Sequence, residues 1–224
     1  MADMMTVGIV GGTGPHGRGI ALRLRRAGFD VLLGSRDAER AGTVVAELPE
    51  DAGASGSIVG VANEEAAARG GVVVVTTPWD GLEGLAPTIG DHVAGKTVVC
   101  CANPLRFEGG GPVPVAVEDG SAAQLLQRVC PTARVVSGFQ NVSAVKLGKL
   151  DVELEGDVLL HGDDADAVEE AAVLVDAIDG LRALRAGPLR LSRIAEDLTV
   201  LLISINKRYR TNASVSITGI AEAG

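Results

Sequence analysis

Aromatic residues are nearly missing from this 224-residue chain: one Trp, one Tyr and three Phe make up 2% of it. The core must therefore be aliphatic, built from Val, Leu, Ile and Ala within a hydrophobic content of 46%. Basic charge is also in short supply. Twenty Lys and Arg stand against 29 Asp and Glu, a net charge of −9, which argues against nucleic acid or an anionic membrane as a partner, since both select a basic face. Small anionic ligands stay open, because a local basic patch is enough for them. No apolar run approaches the ~20 residues of a membrane-spanning helix. Met1–Thr6 has none of the basic, apolar and small-residue regions of a secretory leader. Cysteine is scarce: Cys100, Cys101 and Cys130 lack metal-ligand spacing. Neighbours on a strand point to opposite faces, so buried free thiols and a cytoplasmic setting are expected.

Glycine, by contrast, is abundant at 30 residues, and it punctuates an alternation of strand-like and helix-like runs. Strands are expected at Thr6–Val10, Asp30–Gly34, Ser57–Val61, Val72–Thr77, Thr97–Cys101 and Arg134–Phe139. Several of these are continuous apolar runs, as in strands of a parallel sheet buried on both faces. The segment GRGIALRLRRAG reads as a helix stopped by Gly28, Asp37–Leu48 as a second, and Asn63–Arg69 as a short one with Asn63 as N-cap. The expected fold is therefore α/β, a Rossmann-like doubly wound parallel sheet over residues 1–140. After Asn141 the pattern changes to an acidic strand region at Asp151–Leu160, a helix at Asp164–Ile178, a link through Gly187-Pro188, and a helix near Leu191–Ile205. Residues 141–224 are expected to form a small C-terminal α/β domain completing a cleft. The last helix carries Leu191, Ile194, Ala195, Leu198, Leu201, Leu202 and Ile205 at helical spacing, a face that must pack on something.

Gly12-x-Gly14-x-x-Gly17 follows the first strand and opens the first helix, the context in which this spacing binds a dinucleotide. Gly12 permits the tight turn, Gly14 the approach of backbone to a pyrophosphate, and Gly17 the packing of helix on strand. The helix N-terminus offers unpaired N–H groups and a positive dipole. Pro15 suits the start of a helix, and His16 is expected to be a partly exposed loop residue, not a catalyst. An NAD site would place Asp or Glu at the end of the second strand. Here that end reads Gly34-Ser35-Arg36, with Arg40 four residues on. Two guanidiniums and a hydroxyl suit a 2′-phosphate, so the cofactor is expected to be NADP rather than NAD.

Ligands of an open α/β sheet lie beyond the carboxyl ends of its strands. Three such ends are Thr76-Thr77-Pro78-Trp79, Ala102-Asn103-Pro104-Leu105 and Gly138–Ala144. No Ser-His-Asp set, metal cluster or Lys-x-x-Asn dyad accompanies them, so neither a catalytic side chain nor a metal is expected, and the reaction should need no visible acid or base.

GIVGGTGPHGRGIALRLRRAG, GSRDAER, TTPWDGL and GPLRLSR together resemble the NADPH-dependent reductases of coenzyme F420, the 5-deazaflavin carrier, and the similarity runs across nearly the whole chain. The resemblance implies a homodimer that passes a hydride directly between the nicotinamide of NADP(H) and the deazaflavin. It implies that Thr13, Ser35, Arg36 and Arg40 hold the ribose-phosphate, and that Thr77, Pro78 and Trp79 line the nicotinamide cleft. Asn103-Pro104-Leu105 and Asn141-Val142-Ser143 would surround the deazaflavin. Pro15-His16 stands where archaeal members commonly carry Asn-Leu, and Lys207, Arg208 and Arg210 belong to a tail unlike theirs. Two other readings remain: an NADP-dependent reductase of a small imine or carbonyl, with Asn103, Gln140 or Ser143 as its poor proton donors, and a non-enzymatic NADP(H)-binding regulatory module.

Overall fold

The fold is described from a computed structural model over residues 5–220. Most of the leader reading at Met1–Thr6 and the last four residues of the expected C-terminal domain lie outside the described residues. Strands β1 (Thr6–Val10), β2 (Asp30–Ser35), β3 (Ile58–Ala62), β4 (Val72–Val75) and β5 (Thr97–Cys100) fall where the apolar runs predict. A hairpin of β6 (Leu105–Glu108) and β7 (Gly111–Pro114) precedes β8 (Arg134–Ser137), β9 (Gly156–Gly162) and β10 (Leu181–Gly187). The helices are α1 (Pro15–Arg26), α2 (Ala38–Ala46), α3 (Asn63–Arg69), α4 (Trp79–Ile89), α5 (Ala122–Val129), α6 (Ala144–Leu147), α7 (Ala165–Asp176) and α8 (Ser192–Tyr209).

Eight strands form one sheet in the order β10-β9-β8-β5-β4-β1-β2-β3. All neighbours are parallel except β8 and β9. The β9–β10 pair therefore extends the main sheet instead of forming a sheet of its own. β4 shows why such runs are uninterrupted by polar residues: Val72 and Val74 face one core layer, Val73 and Val75 the other, and all four are at most 1% exposed. Cys100 and Cys101 likewise point into opposite layers, buried and free. Burial pushes all three thiols up, Cys100 to about 12, which keeps them protonated and inert. Among the described residues no helix is long and apolar enough to cross a membrane.

The β6–β7 hairpin, α4, α5, α6 and β10 were not anticipated from the sequence. α4 contains Gly81, Gly84 and Pro87, which lower its helical propensity. α5 is short but capped by Ser121, whose hydroxyl accepts from the Gln124 N–H. β10 has Arg182 and Arg185 between its apolar residues, so it reads as an edge, which it is.

An unforeseen buried cation ties the C-terminal half to α1. Arg23 is 6% exposed and donates to the carbonyls of Lys146, Leu147, Lys149 and Val152 at 2.6–3.2 Å. These carbonyls lie at and just beyond the end of α6; those of Lys146 and Lys149 also accept a backbone N–H, and a guanidinium with five donors suits the set. Arg23→Met should keep the aliphatic packing, strip the Leu147 and Val152 carbonyls of the Arg23 donors and lower the unfolding free energy by about 2–4 kcal/mol. Denaturant titration checks this; a change within ~0.5 kcal/mol would show the bonds to be incidental.

Candidate active site

The winding of the sheet reverses at β1: the chain moves to one side through β2 and β3, and to the other through β4, β5 and β8. A crevice opens beyond the carboxyl ends of such a switch point. Here it has a volume of about 920 Å³ and is lined by the β1–α1 turn, the end of β2 and the start of α4, large enough for a dinucleotide fragment.

The turn is shaped by close backbone approach. A side chain on Gly17 would place its Cβ 2.6 Å from Gly12, and one on Gly12 would strike Leu33 at 2.7 Å. Gly14 differs: a Cβ there would meet nothing within 4 Å and would project into open space. Gly12 and Gly17 are thus required by the protein itself, whereas Gly14 leaves room for a ligand. Gly14 also caps α1 without any side-chain bond, so the N–H groups of the first turn remain available to an anion. Gly11, at φ +69°, closes the turn by donating its N–H to Asn63 Oδ1 at 2.9 Å.

That bond corrects the expected role of Asn63. Ala62, not Asn63, precedes the first helical residue, and the Asn63 side chain is buried at 3% exposure and turned to the glycine loop. A partner 52 residues away outcompetes local capping.

Ser35, Arg36 and Arg40 line the crevice together with Gly11, Thr13, Thr77 and Pro78. Asp37, the acid nearest the arginines, spends its carboxylate on the α2 N-terminus, accepting from the backbone of Glu39 and Arg40. Neither guanidinium has an ion pair or hydrogen bond among the described residues, and both are exposed. Ser35 Oγ accepts from the Asp37 N–H at 3.3 Å, which leaves its proton free to donate. Across the crevice Thr77 Oγ1 is sealed from solvent without a partner. Unpaired cations, an orphaned hydroxyl and an open glycine cradle fit a dinucleotide phosphate.

Other expected site residues lie elsewhere. Pro15 is the exposed first residue of α1, and Trp79 opens α4 with its ring against the aliphatic layer. Asn103 and Asn141 are engaged by α8: Thr199 Oγ1 donates to Asn103 Oδ1 at 2.9 Å, and Asn141 Nδ2 donates to the Ala195 carbonyl at 2.8 Å. Pro104 is buried and its carbonyl holds Val115; Leu105 begins the β6–β7 hairpin. Val142 packs on the core, and Ser143 caps α6 by accepting from Lys146. Thr199 and Glu196, which organise these strand ends, carry no sequence signal beyond their place on a helix.

His16 is partly exposed, as expected, but its ring is held in place. Its ring donates to the Phe139 carbonyl, so α1 is tied to the end of β8, where Phe139 turns the chain at φ +66°. Its Nε2 is buried and unpartnered. Neither His16 nor the buried Glu196 of α8 lines the crevice.

Fold and site together define a dinucleotide-binding oxidoreductase of the Rossmann class. A family model described as NADP oxidoreductase, coenzyme F420-dependent, matches residues 6–104. The F420-dependent NADP reductase of Methanothermobacter thermautotrophicus is 37% identical over 98% of this chain and 97% of its own. That of Methanocaldococcus jannaschii is 35% identical over 96% and 99%. Among solved structures, a protein of Arthrobacter sp. FB24 assigned as an F420-dependent NADP-reductase superposes with a TM-score of 0.75 at 28% identity, covering 96% of this chain and 99% of that one. The chain belongs to the F420-dependent NADP reductase family.

Burial pulls the His16 imidazole from its ordinary 6.5 to about 4. The unfolded chain then binds a proton that the folded one refuses, so stability falls as pH drops from about 6.5 toward 4, by up to about 3 kcal/mol. His16→Leu should remove this dependence. Unfolding free energies measured near pH 7 and pH 4.5 should diverge by about 2–3 kcal/mol more in the wild type than in the variant; equal slopes would contradict the enclosed imidazole.

Proposed function

We propose that the chain transfers a hydride directly between NADP(H) and coenzyme F420. The observation that carries this reading is the pair of unpartnered guanidiniums at the crevice beside the open glycine cradle, in a chain of this family. When bound, the two coenzymes supply the chemistry, donor and acceptor carbons held ~3–3.5 Å apart. The protein binds, orients and excludes water. Gly14 and the α1 N-terminus cradle the pyrophosphate; Arg36 and Arg40, with Ser35 and Thr13, hold the ribose-phosphate; Thr77 and Pro78 wall the nicotinamide side. Trp79 stiffens that wall from behind. The Asn103–Leu105 and Asn141–Ser143 loops, backed by residues 141–224, form the deazaflavin side. Direct transfer needs no general acid or base in the crevice. Three buried free thiols suit a reducing cytoplasm.

The assembly that fits is a homodimer, and α8 supports it. This helix is inside out: Ser192, Ala195 and Glu196 face the protein at no more than 1% exposure, with Leu202 at 8%. Ile194, Leu201 and Tyr209 are 67%, 55% and 73% exposed, and Leu198 and Ile205 on the same stripe are only half-buried. Of the seven apolar residues on the face expected to pack on something, the structure buries just Ala195 and Leu202. A self-complementary stripe suits a two-fold contact with a second copy. Leu201→Glu should convert a particle of twice the 22.8 kDa chain mass to a single chain in sedimentation analysis. A wild-type chain that sediments alone would remove the proposal.

The activity is tested by anaerobic oxidation of NADPH with purified F420, followed at the absorbance bands of both; turnover is expected, and turnover with an imine but not the deazaflavin would overturn the reading. Arg36→Ala and Arg40→Ala should each weaken NADP⁺ binding about 10–100-fold while leaving NAD⁺ within ~2-fold. Calorimetric titration checks this, and equal losses for both nucleotides would contradict the phosphate grip.

A further inference from the structure

With its apolar side turned outward, α8 is fastened to its own chain largely by polar contacts, and the most enclosed of these involves a side chain the hydride chemistry does not use. Glu196 is 1% exposed. Its carboxyl oxygens accept from the backbone N–H groups of Ala122 at 3.1 Å and Ala123 at 3.3 Å, at the start of α5. Alongside, Ser192 Oγ donates to Ser121 Oγ at 2.7 Å. One turn further along α8, Thr199 Oγ1 lies 2.9 Å from Asn103 Oδ1 and 3.1 Å from the Gln140 carbonyl oxygen. Asn141 Nδ2 in turn donates to the Ala195 carbonyl and to Thr199 Oγ1. Asn103 follows β5, and Gln140 and Asn141 follow β8.

We infer that Glu196 is a positioning residue for the second ligand: it docks α8 on the N-terminus of α5, and α8 through Thr199 sets the two strand ends against which the deazaflavin lies. The inference rests on the reading above that these loops form the deazaflavin side. No part of it involves the nucleotide crevice, which Glu196 does not line.

The charged and titratable groups facing Glu196 are Arg193 and Asp197 from α8 and Cys100 from β5; α5 presents only backbone dipoles. Burial outweighs the two N–H donors and raises the carboxyl from 4.5 to about 7. A docked value above that of an exposed carboxylate means docking is strongest at low pH. It weakens as pH rises from about 4.5 through 7, because the undocked helix gives up its proton more readily.

The experiment uses the full chain with NADPH and F420 as substrates. KM for F420 and kcat are measured between about pH 5.5 and pH 8, and Kd for NADP⁺ by calorimetry, in wild type, Glu196→Gln and Glu196→Ala. Wild-type KM for F420, taken as a ratio to that of Glu196→Gln, which is neutral throughout, should rise roughly threefold or more across that range. Glu196→Ala should raise this KM roughly tenfold at every pH with NADP⁺ affinity within about twofold of wild type. The titration of the substrate itself is common to all proteins and cancels in the comparison.

Should Glu196→Ala fail to fold, Ala122→Pro replaces it. That change deletes one donor to Glu196 at the first position of a helix, where proline is tolerated, after a Ser121 already extended at φ −151°, ψ 165°. It should raise the KM for F420 without altering NADP⁺ affinity. Variants with the wild-type pH profile, or with NADP⁺ affinity lost in step with the KM for F420, would overturn the role of Glu196 alone. A wild-type enzyme that does not reduce F420 at all would overturn the parent reading with it.

Discussion

The site depends on how closely two stretches of backbone can approach at the end of β1. Gly12 and Gly17 touch with no room for a Cβ between them, and Asn63 reaches across from α3 to hold the N–H of Gly11. These contacts fix the direction in which α1 leaves the sheet and hence where its unpaired N–H groups point. Everything the crevice does with an anion follows from that direction: the dipole and the amides act at short range, and a helix rotated by a few tenths of a turn would aim them at protein instead. The open space over Gly14 is what this tight packing leaves behind.

A second constraint operates at the other wall. Ser192, Glu196 and Thr199 of α8 face α5 and the strand ends while Ile194, Leu201 and Tyr209 face outward, the reverse of an ordinary surface helix. Buried hydrogen bonds then carry the helix to its place, at the cost of desolvating a carboxyl group. Such an arrangement specifies position more than it stabilises. It also leaves an apolar outer side on the same eighteen residues, where the proposed second copy of the chain would sit.

The sheet was legible because its strands are buried on both faces, which writes itself into the sequence as uninterrupted Val and Ile; Val72–Val75 is the plainest case. The glycine fingerprint and the Ser35-Arg36 pair were legible because their function is local. What stayed hidden depends on distant partners or on mixed signals. Asn63 looked like a cap, yet its partner lies across the fold. Arg23 stands beside the basic Arg25 and Arg26 with nothing in the sequence to set it apart, yet it gathers carbonyls more than a hundred residues away. The spacing along α8 announced an apolar face correctly but not which way it turns, since amphipathicity alone does not say whether the covering surface belongs to the same chain. The partial exposure of His16 was legible, but the bend at Phe139 whose carbonyl accepts its ring N–H is invisible in sequence.

The central claim is that a hydride crosses directly from one coenzyme to the other in a cleft that keeps water out. It is tested most directly by isotope tracing: NADPH deuterated at the transferring C4 position is mixed with F420 in ordinary water, and the reduced deazaflavin is examined by mass spectrometry and NMR. Stoichiometric deuterium at C5, with none incorporated when unlabelled NADPH is used in heavy water, is the expected result. Label lost to solvent, or deuterium entering C5 from heavy water during turnover, would contradict it.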